Sequence, residues 1–107
     1  MSEPRMFRDK SIASLSGSSQ QACAPNGNRQ FLLIENTGTA NVGVNFSGPN
    51  SGGSQTTTGI GNVAAIAGAG TVTVVANGSL IFEGLAVPQN AVNIIGTAGQ
   101  PVVVIEA

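Results

Sequence analysis

Residues 71–84 read Thr-Val-Thr-Val-Val-Ala, then Asn77-Gly78, then Ser-Leu-Ile-Phe-Glu-Gly. Two β-branched or apolar runs separated by Asn-Gly are the strongest short-range signal for a β-hairpin. A type I′ turn needs positive φ at both central residues, which Gly accepts freely and Asn tolerates best among the rest. The stretch predicts two paired strands, and similar runs lie on either side of it.

Upstream, Arg29 to Glu35 is a strand with Phe31-Leu32-Leu33-Ile34 unbroken at its centre, and Asn36 to Ala40 is a loop of hairpin length. Asn41 to Phe46 then alternates cleanly, with Val42, Val44 and Phe46 on one side and Asn41, Gly43 and Asn45 on the other, the pattern of a half-buried strand. Downstream, Pro88 marks a bend, and Ala91–Ile95 and Val102–Ile105 are strands across the turn 96–100. Pro101 has no amide donor, which suits a strand start or a sheet edge. Residues 47–70 are a Gly/Ser/Thr loop followed by a small apolar island, 63–67, which reads as loop or as a short strand. Ser11 to Ala24 reads as an edge strand or an extended connector. No segment shows a helical period. Short strands with turn signals between them define an all-β domain, an antiparallel β-sandwich or small barrel. The division expected is an N-terminal arm and connector over 1–28 and one β-sandwich domain over 29–107.

The expected core is Phe31, Leu33, Val42, Val44, Phe46, Val74, Leu80, Phe82, Val92, Ile94, Val103 and Ile105. The runs Phe31–Ile34 and Val102–Ile105 are apolar on both faces, whereas an outward strand face is ordinarily polar. That leaves Leu32, Ile34, Val102 and Val104 as the expected interface with another copy, giving a homo-oligomer in which a trimer is favoured slightly over a dimer. The alternative is an arm or loop folded over that face.

The 107 residues suit one domain. Charged residues are only 8%, against roughly 25% in ordinary globular proteins, so much of the surface is expected to be covered by a partner or made soluble by Asn, Ser, Thr and Gln. The net charge of −1 favours neither nucleic acid nor an anionic membrane. A single cysteine, Cys23, excludes an intrachain disulfide. No apolar run approaches a secretory signal core or the roughly 20 residues of a membrane helix.

The chemistry-bearing residues are sparse. With no His and one Cys, most nucleophile–base pairs and the usual zinc sites are missing. Glu35 and Glu106 each end a strand, where a solvated rim position is the ordinary reading, so no catalytic residue, cofactor site or metal site is expected and the chain is read as no enzyme. Gly59-Ile60-Gly61 lacks the Lys-Ser/Thr and the following helix of a phosphate loop. Clustered cations with stacking aromatics, which single-stranded nucleic acid requires, are absent from the strands.

The phrases Arg29-Gln-Phe-Leu-Leu-Ile-Glu-Asn-Thr-Gly-Thr-Ala-Asn-Val-Gly-Val-Asn-Phe, Gly78-Ser-Leu-Ile-Phe-Glu-Gly and Pro88-Gln-Asn-Ala-Val-Asn-Ile-Ile-Gly-Thr-Ala-Gly-Gln-Pro-Val resemble small head proteins of tailed bacteriophages. The likeness, over about residues 29–107, is to capsid decoration (cement) proteins. It implies a jelly-roll-like β-sandwich, assembly in the host cytoplasm, a place on the outside of the virion shell, and the major capsid protein as partner. The charged arm lies outside the matched region. On physical grounds Arg5, Met6, Phe7, Arg8 and Lys10 are expected to hold the capsid, the cations pairing with carboxylates and Phe7 filling an apolar groove. The competing reading is a receptor- or carbohydrate-binding β module of a fibre or adhesin. The lack of Trp and Tyr counts against it.

Overall fold

The computed structural model describes residues 6–47, 64–68 and 70–107. They form eight strands: β1 (Arg8–Asp9), β2 (Gln20–Cys23), β3 (Phe31–Glu35), β4 (Val42–Asn45), β5 (Val72–Val74), β6 (Ser79–Glu83), β7 (Val92–Ile95) and β8 (Val103–Glu106). The first sheet has the order β1-β8-β3-β6 and the second β2-β7-β4-β5. Every pairing is antiparallel. The outgoing strands β1 to β4 pair with the returning strands β8, β7, β6 and β5, so the chain is one long folded ribbon wrapped into two sheets. That is the jelly-roll form of the β-sandwich.

The ends of the sandwich show how residues set this path. At one end the turn 75–78 joins β5 to β6, and here the expected hairpin fails. Val74 pairs with Val42 in the second sheet, while Leu80 pairs with Ile34 in the first, so the turn bridges the two sheets. Asn77 has φ of 66° but Gly78 is not in the positive region, and the Gly78 amide donates to the Val75 carbonyl at 2.8 Å. A single positive φ at the third residue is the signature of a type II turn, which does not lay its two flanking strands side by side as a type I′ turn does. Asn36 latches this corner. Its backbone exchanges bonds with Asn77 and Gly78, and its buried amide donates to the carbonyls of Ala40 at 2.8 Å and Val74 at 2.9 Å. Leu15 closes the same end, bonded through its backbone to Gly99 and Gln100. A methyl group on Gly96 would meet Leu15 Cδ1 at 2.7 Å, so only glycine lets that plug in.

The core consists chiefly of Leu15, Cys23, Leu32, Ile34, Val42, Val44, Val74, Val87, Val92, Ile94, Val102 and Val104, with Phe46, Leu80 and Phe82 packed at its margin. The parity expected for β3 and β8 is therefore reversed. Leu32, Ile34, Val102 and Val104, expected at an oligomer interface, lie in the core, and Phe31, Leu33, Val103 and Ile105 face outward, half-buried. The physical reason lies in the polar residue ending each run. Asn36 and Glu106 are both drawn inside by hydrogen bonds, and the two-residue period carries 32 and 34, and 102 and 104, inward with them.

The boundary expected at residue 28 also changes. β1 and β2 belong to the two sheets, and Ile12 bridges to Val102. A bulge between Gln21 and Cys23 inserts one residue opposite β7 and turns Cys23 into the core. The island expected near 63–67 forms a turn over its described residues, 64–67, with Ala67 at φ of 57°; Val63 falls outside the described residues.

Candidate functional site

Arg29 is 1% exposed, an unusual place for a cation. Its Nε donates to Glu106 Oε1 at 2.8 Å, Nη1 to the carbonyls of Pro88 at 2.7 Å and Asn90 at 3.0 Å, and Nη2 to the Ala24 carbonyl at 2.8 Å. One guanidinium thereby ties the end of β8 to the loops after β2 and before β7. A buried ion of this kind survives only when its donors are matched. Glu106, expected on a solvated rim, is instead the buried half of this pair. The cluster holds the fold together and leaves no acid or base poised over a cavity. A depression of about 410 Å³ beside it is lined by Asn28, Gln30, Leu85 and Gln89. The only Arg there is the one already engaged. Among the described residues no group of three or more His, Cys, Asp or Glu could hold a metal ion, and no helix is long and apolar enough to cross a membrane.

Cys23 lies beneath this end at 1% exposure. Burial, with the Glu106 charge adding to it, pushes its thiol up to about 11. A protonated, enclosed thiol is inert as a nucleophile.

The unusual chemistry is on the outside of the first sheet. Leu33 pairs with Ile105 on one side and Ile81 on the other, making an apolar row across three strands. Ile81 is 60% exposed. Phe31 lies further along the same face, and Phe7 meets it edge to face with ring centroids 5.3 Å apart. Phe7 itself is still 61% exposed. Val75, Ile81 and Leu85 form a second set of exposed apolar side chains before, on and after β6. β6 is the terminal strand of its sheet. Gly84 donates to the Gln30 carbonyl, so alternation directs the backbone groups of Phe82 and Leu80 toward β3 and those of Ser79, Ile81 and Glu83 away from the sheet. Among the described residues, the five of β6 thus present an open edge.

The arm expected to grip a capsid is placed differently. Arg8 pairs with Glu106 and Asp9 with Ile105 across the ladder, and the Lys10 amide donates to the Val104 carbonyl at 2.7 Å. Met6, Phe7, Arg8 and Lys10 are exposed, while Arg5 falls outside the described residues. An oxygen of Asp9 accepts the Ser11 amide at 2.9 Å, and the Ser11 hydroxyl first and this amide second lower the Asp9 pKa. Sequence reasoning passed over the buried Arg29, Glu106 and Asn36. The signal for them was present in the rarity of charge, since a cation isolated at the head of an apolar strand is a candidate for internal pairing.

No family model matches the chain and no curated protein matches it. Among solved structures, the chain is similar to one described in the words "Bacillus endospore appendages form a novel family of disulfide-linked pili", with a TM-score of 0.47 and 18% identity over 94% of this chain and 85% of that one. The expectation of a bacteriophage capsid decoration protein is corrected here. The solved chain belongs to a pilus, and the arm on which capsid binding was to rest is an edge strand of the sandwich.

Proposed function

We propose that the protein is a non-enzymatic structural subunit that assembles with further copies of itself. The observation that carries this reading is the outer face of the first sheet, where Phe31, Leu33, Ile81, Val103 and Ile105 share one side of adjacent strands in a chain with 8% charged residues. A free monomer ordinarily keeps such patches small and its surface charged. Arg29 and Glu106, two of the few charges, are spent inside the fold. A pilus, the assembly named for the solved chain, is one form of such an array. The single cysteine here is buried, so cohesion in this chain rests on noncovalent contact.

Sedimentation velocity over a wide concentration range, with electron microscopy of the most concentrated sample, tests the reading. Mass that rises with concentration is expected. A monomer at every concentration and salt overturns it.

A further inference from the structure

Among the described residues the first sheet has two open edges on opposite sides, β1 at one and β6 at the other. Its strands alternate in direction without exception. With four strands alternating, β6 runs opposite to β1. A second copy set beside the first by translation therefore brings its β1 antiparallel to the first copy's β6, with no inversion of the molecule.

The edges match in hydrogen bonding. Lys10 and Ile12 donate inward to β8, so the backbone groups of Phe7 and Asp9 point outward by alternation, as do those of Ser79, Ile81 and Glu83. They also match in side chains. Asp9 shares a face with Ile105, and Ile81 shares that face with Leu33. Phe7, two residues before Asp9, lies on it too. Setting Phe7 of the neighbouring copy opposite Ile81 puts its Asp9 opposite Ser79, by residue number alone. The two most exposed apolar groups on that face, Phe7 and Ile81, then cover one another. The Asp9 carboxylate already holds the Ser11 amide, which limits the contact to the first part of β1.

Resting on the reading of a self-assembling subunit, we propose that the open edge of β6 receives the β1 edge of a second copy, so that the sheet continues from molecule to molecule. The contact is heterologous. It leaves one free edge at each end, so it repeats and yields a filament, or a ring if the rotation closes. Sheet twist gives each added copy a constant rotation, and the product is helical.

The experiment compares wild type with Ile81→Lys, Phe7→Glu and the double variant Phe7→Glu/Ile81→Lys, each first checked for unchanged circular dichroism and melting. Ile81 is on an edge and largely exposed, so Lys there blocks pairing without entering the core. Ile81→Lys is expected to raise the concentration needed for assembly about tenfold or more, as loss of one strand contact predicts. Phe7→Glu is expected to raise it by a similar factor, and the double variant, which sets opposite charges across the contact, to recover part of the loss. Failure of wild type to assemble overturns the self-assembly reading and this contact with it. Assembly of Ile81→Lys at the wild-type concentration, or a wild-type mass that stops at a dimer, overturns the edge contact alone and leaves self-assembly standing.

Discussion

The outer faces of the two sheets have opposite chemistry and opposite fates. On the first, Leu33, Ile81 and Ile105 form an apolar row that none of the described chain crosses. On the second, Gln21, Asn93 and Asn45 form a polar row, yet Asn45 and Asn93 are buried. Residues 64–66 and Thr71 lie against that side. Thr71 Oγ1 accepts from the Ala65 amide at 3.2 Å and sits 3.5 Å from Asn45 Nδ2, and Ser19 Oγ accepts the Ala64 amide at 2.9 Å. Polarity therefore does not tell which face a strand shows to water. Amides that find partners are stable under a strip of the same chain, while the apolar face has no such cover within the described chain.

The largest effect separates inside from outside on one strand. Leu32→Lys and Leu33→Lys differ by one position, but Leu32 is fully buried and Leu33 half-buried on the outer face. An unpaired charge in the core costs more than about 4 kcal/mol, a large share of a typical stability of roughly 5–15 kcal/mol. Leu32→Lys should be unfolded by circular dichroism. Leu33→Lys should fold, and should assemble poorly if the apolar row is cohesive. The reverse result would restore the parity first expected from sequence.

Next comes Arg29→Ala, which strands the Glu106 carboxylate and three carbonyls. Breaking a buried pair from one side costs about 3–5 kcal/mol, measurable by urea unfolding. Arg8→Ala, at an exposed edge, should stay within about 0.5 kcal/mol. Equal effects at both positions would remove Arg29 from its role as the anchor.

The covered face gives a smaller effect. A methyl group on Gly43 would lie 2.8 Å from Thr71 Cγ2, 3.1 Å from Ile95 Cγ2 and 3.4 Å from Ile66 Cδ1. Gly43→Ala should push Ile66 and Thr71 outward at a cost of about 1–3 kcal/mol, the range for overpacking. Amide exchange should quicken at Ala64 and Ala65 more than in β3. Unchanged exchange there would mean that these two side chains do not bear on Gly43.

These contrasts also show what was legible in the sequence. The all-β class was, because the runs around 31–34, 42–46, 79–83, 92–95 and 102–105 have strand lengths and turn residues between them. β4 gave its inward side correctly, since Val42 and Val44 alternate with Gly43 and Asn45 and one face has nothing apolar to offer. β3 and β8 did not, because both faces are apolar and the ordinary rule sends the terminal Glu106 to water. Its partner, Arg29, is 77 residues away in the chain, and no local pattern reports a contact at that range. The Asn-Gly turn misled for a similar reason. A turn's residues state which φ values are available, but whether its flanking strands pair with each other depends on β3 and β4, which had already claimed them. The open edge of β6 was hidden until the sheet order was known, since edge and centre strands read alike in sequence.

Cys23 supplies the smallest and most specific test, of whether the interior below the covered sheet is sealed. Its thiol is raised from 9.0 to about 11, first by burial and then by the Glu106 charge, with Arg29 and Lys10 acting the other way. A folded pKa above the unfolded one means that the thiol's contribution to stability is fully present below about 9 and is lost as pH rises to about 11. Over that window the unfolded chain ionises while the folded chain does not, so unfolding is favoured. The comparison of wild type with Cys23→Ala isolates the part that belongs to the thiol. The melting temperature of wild type should fall more steeply between these pH values than that of Cys23→Ala, while the two run parallel at neutral pH. At pH 8 a thiol reagent should modify Cys23 only as fast as the chain opens, and Arg29→Ala should speed that modification by loosening the end of the sandwich above it. Immediate labelling of the native protein at pH 8 would show that the end of the sandwich at Arg29 is open, and the sealed interior inferred from the buried ion pair would fall with it.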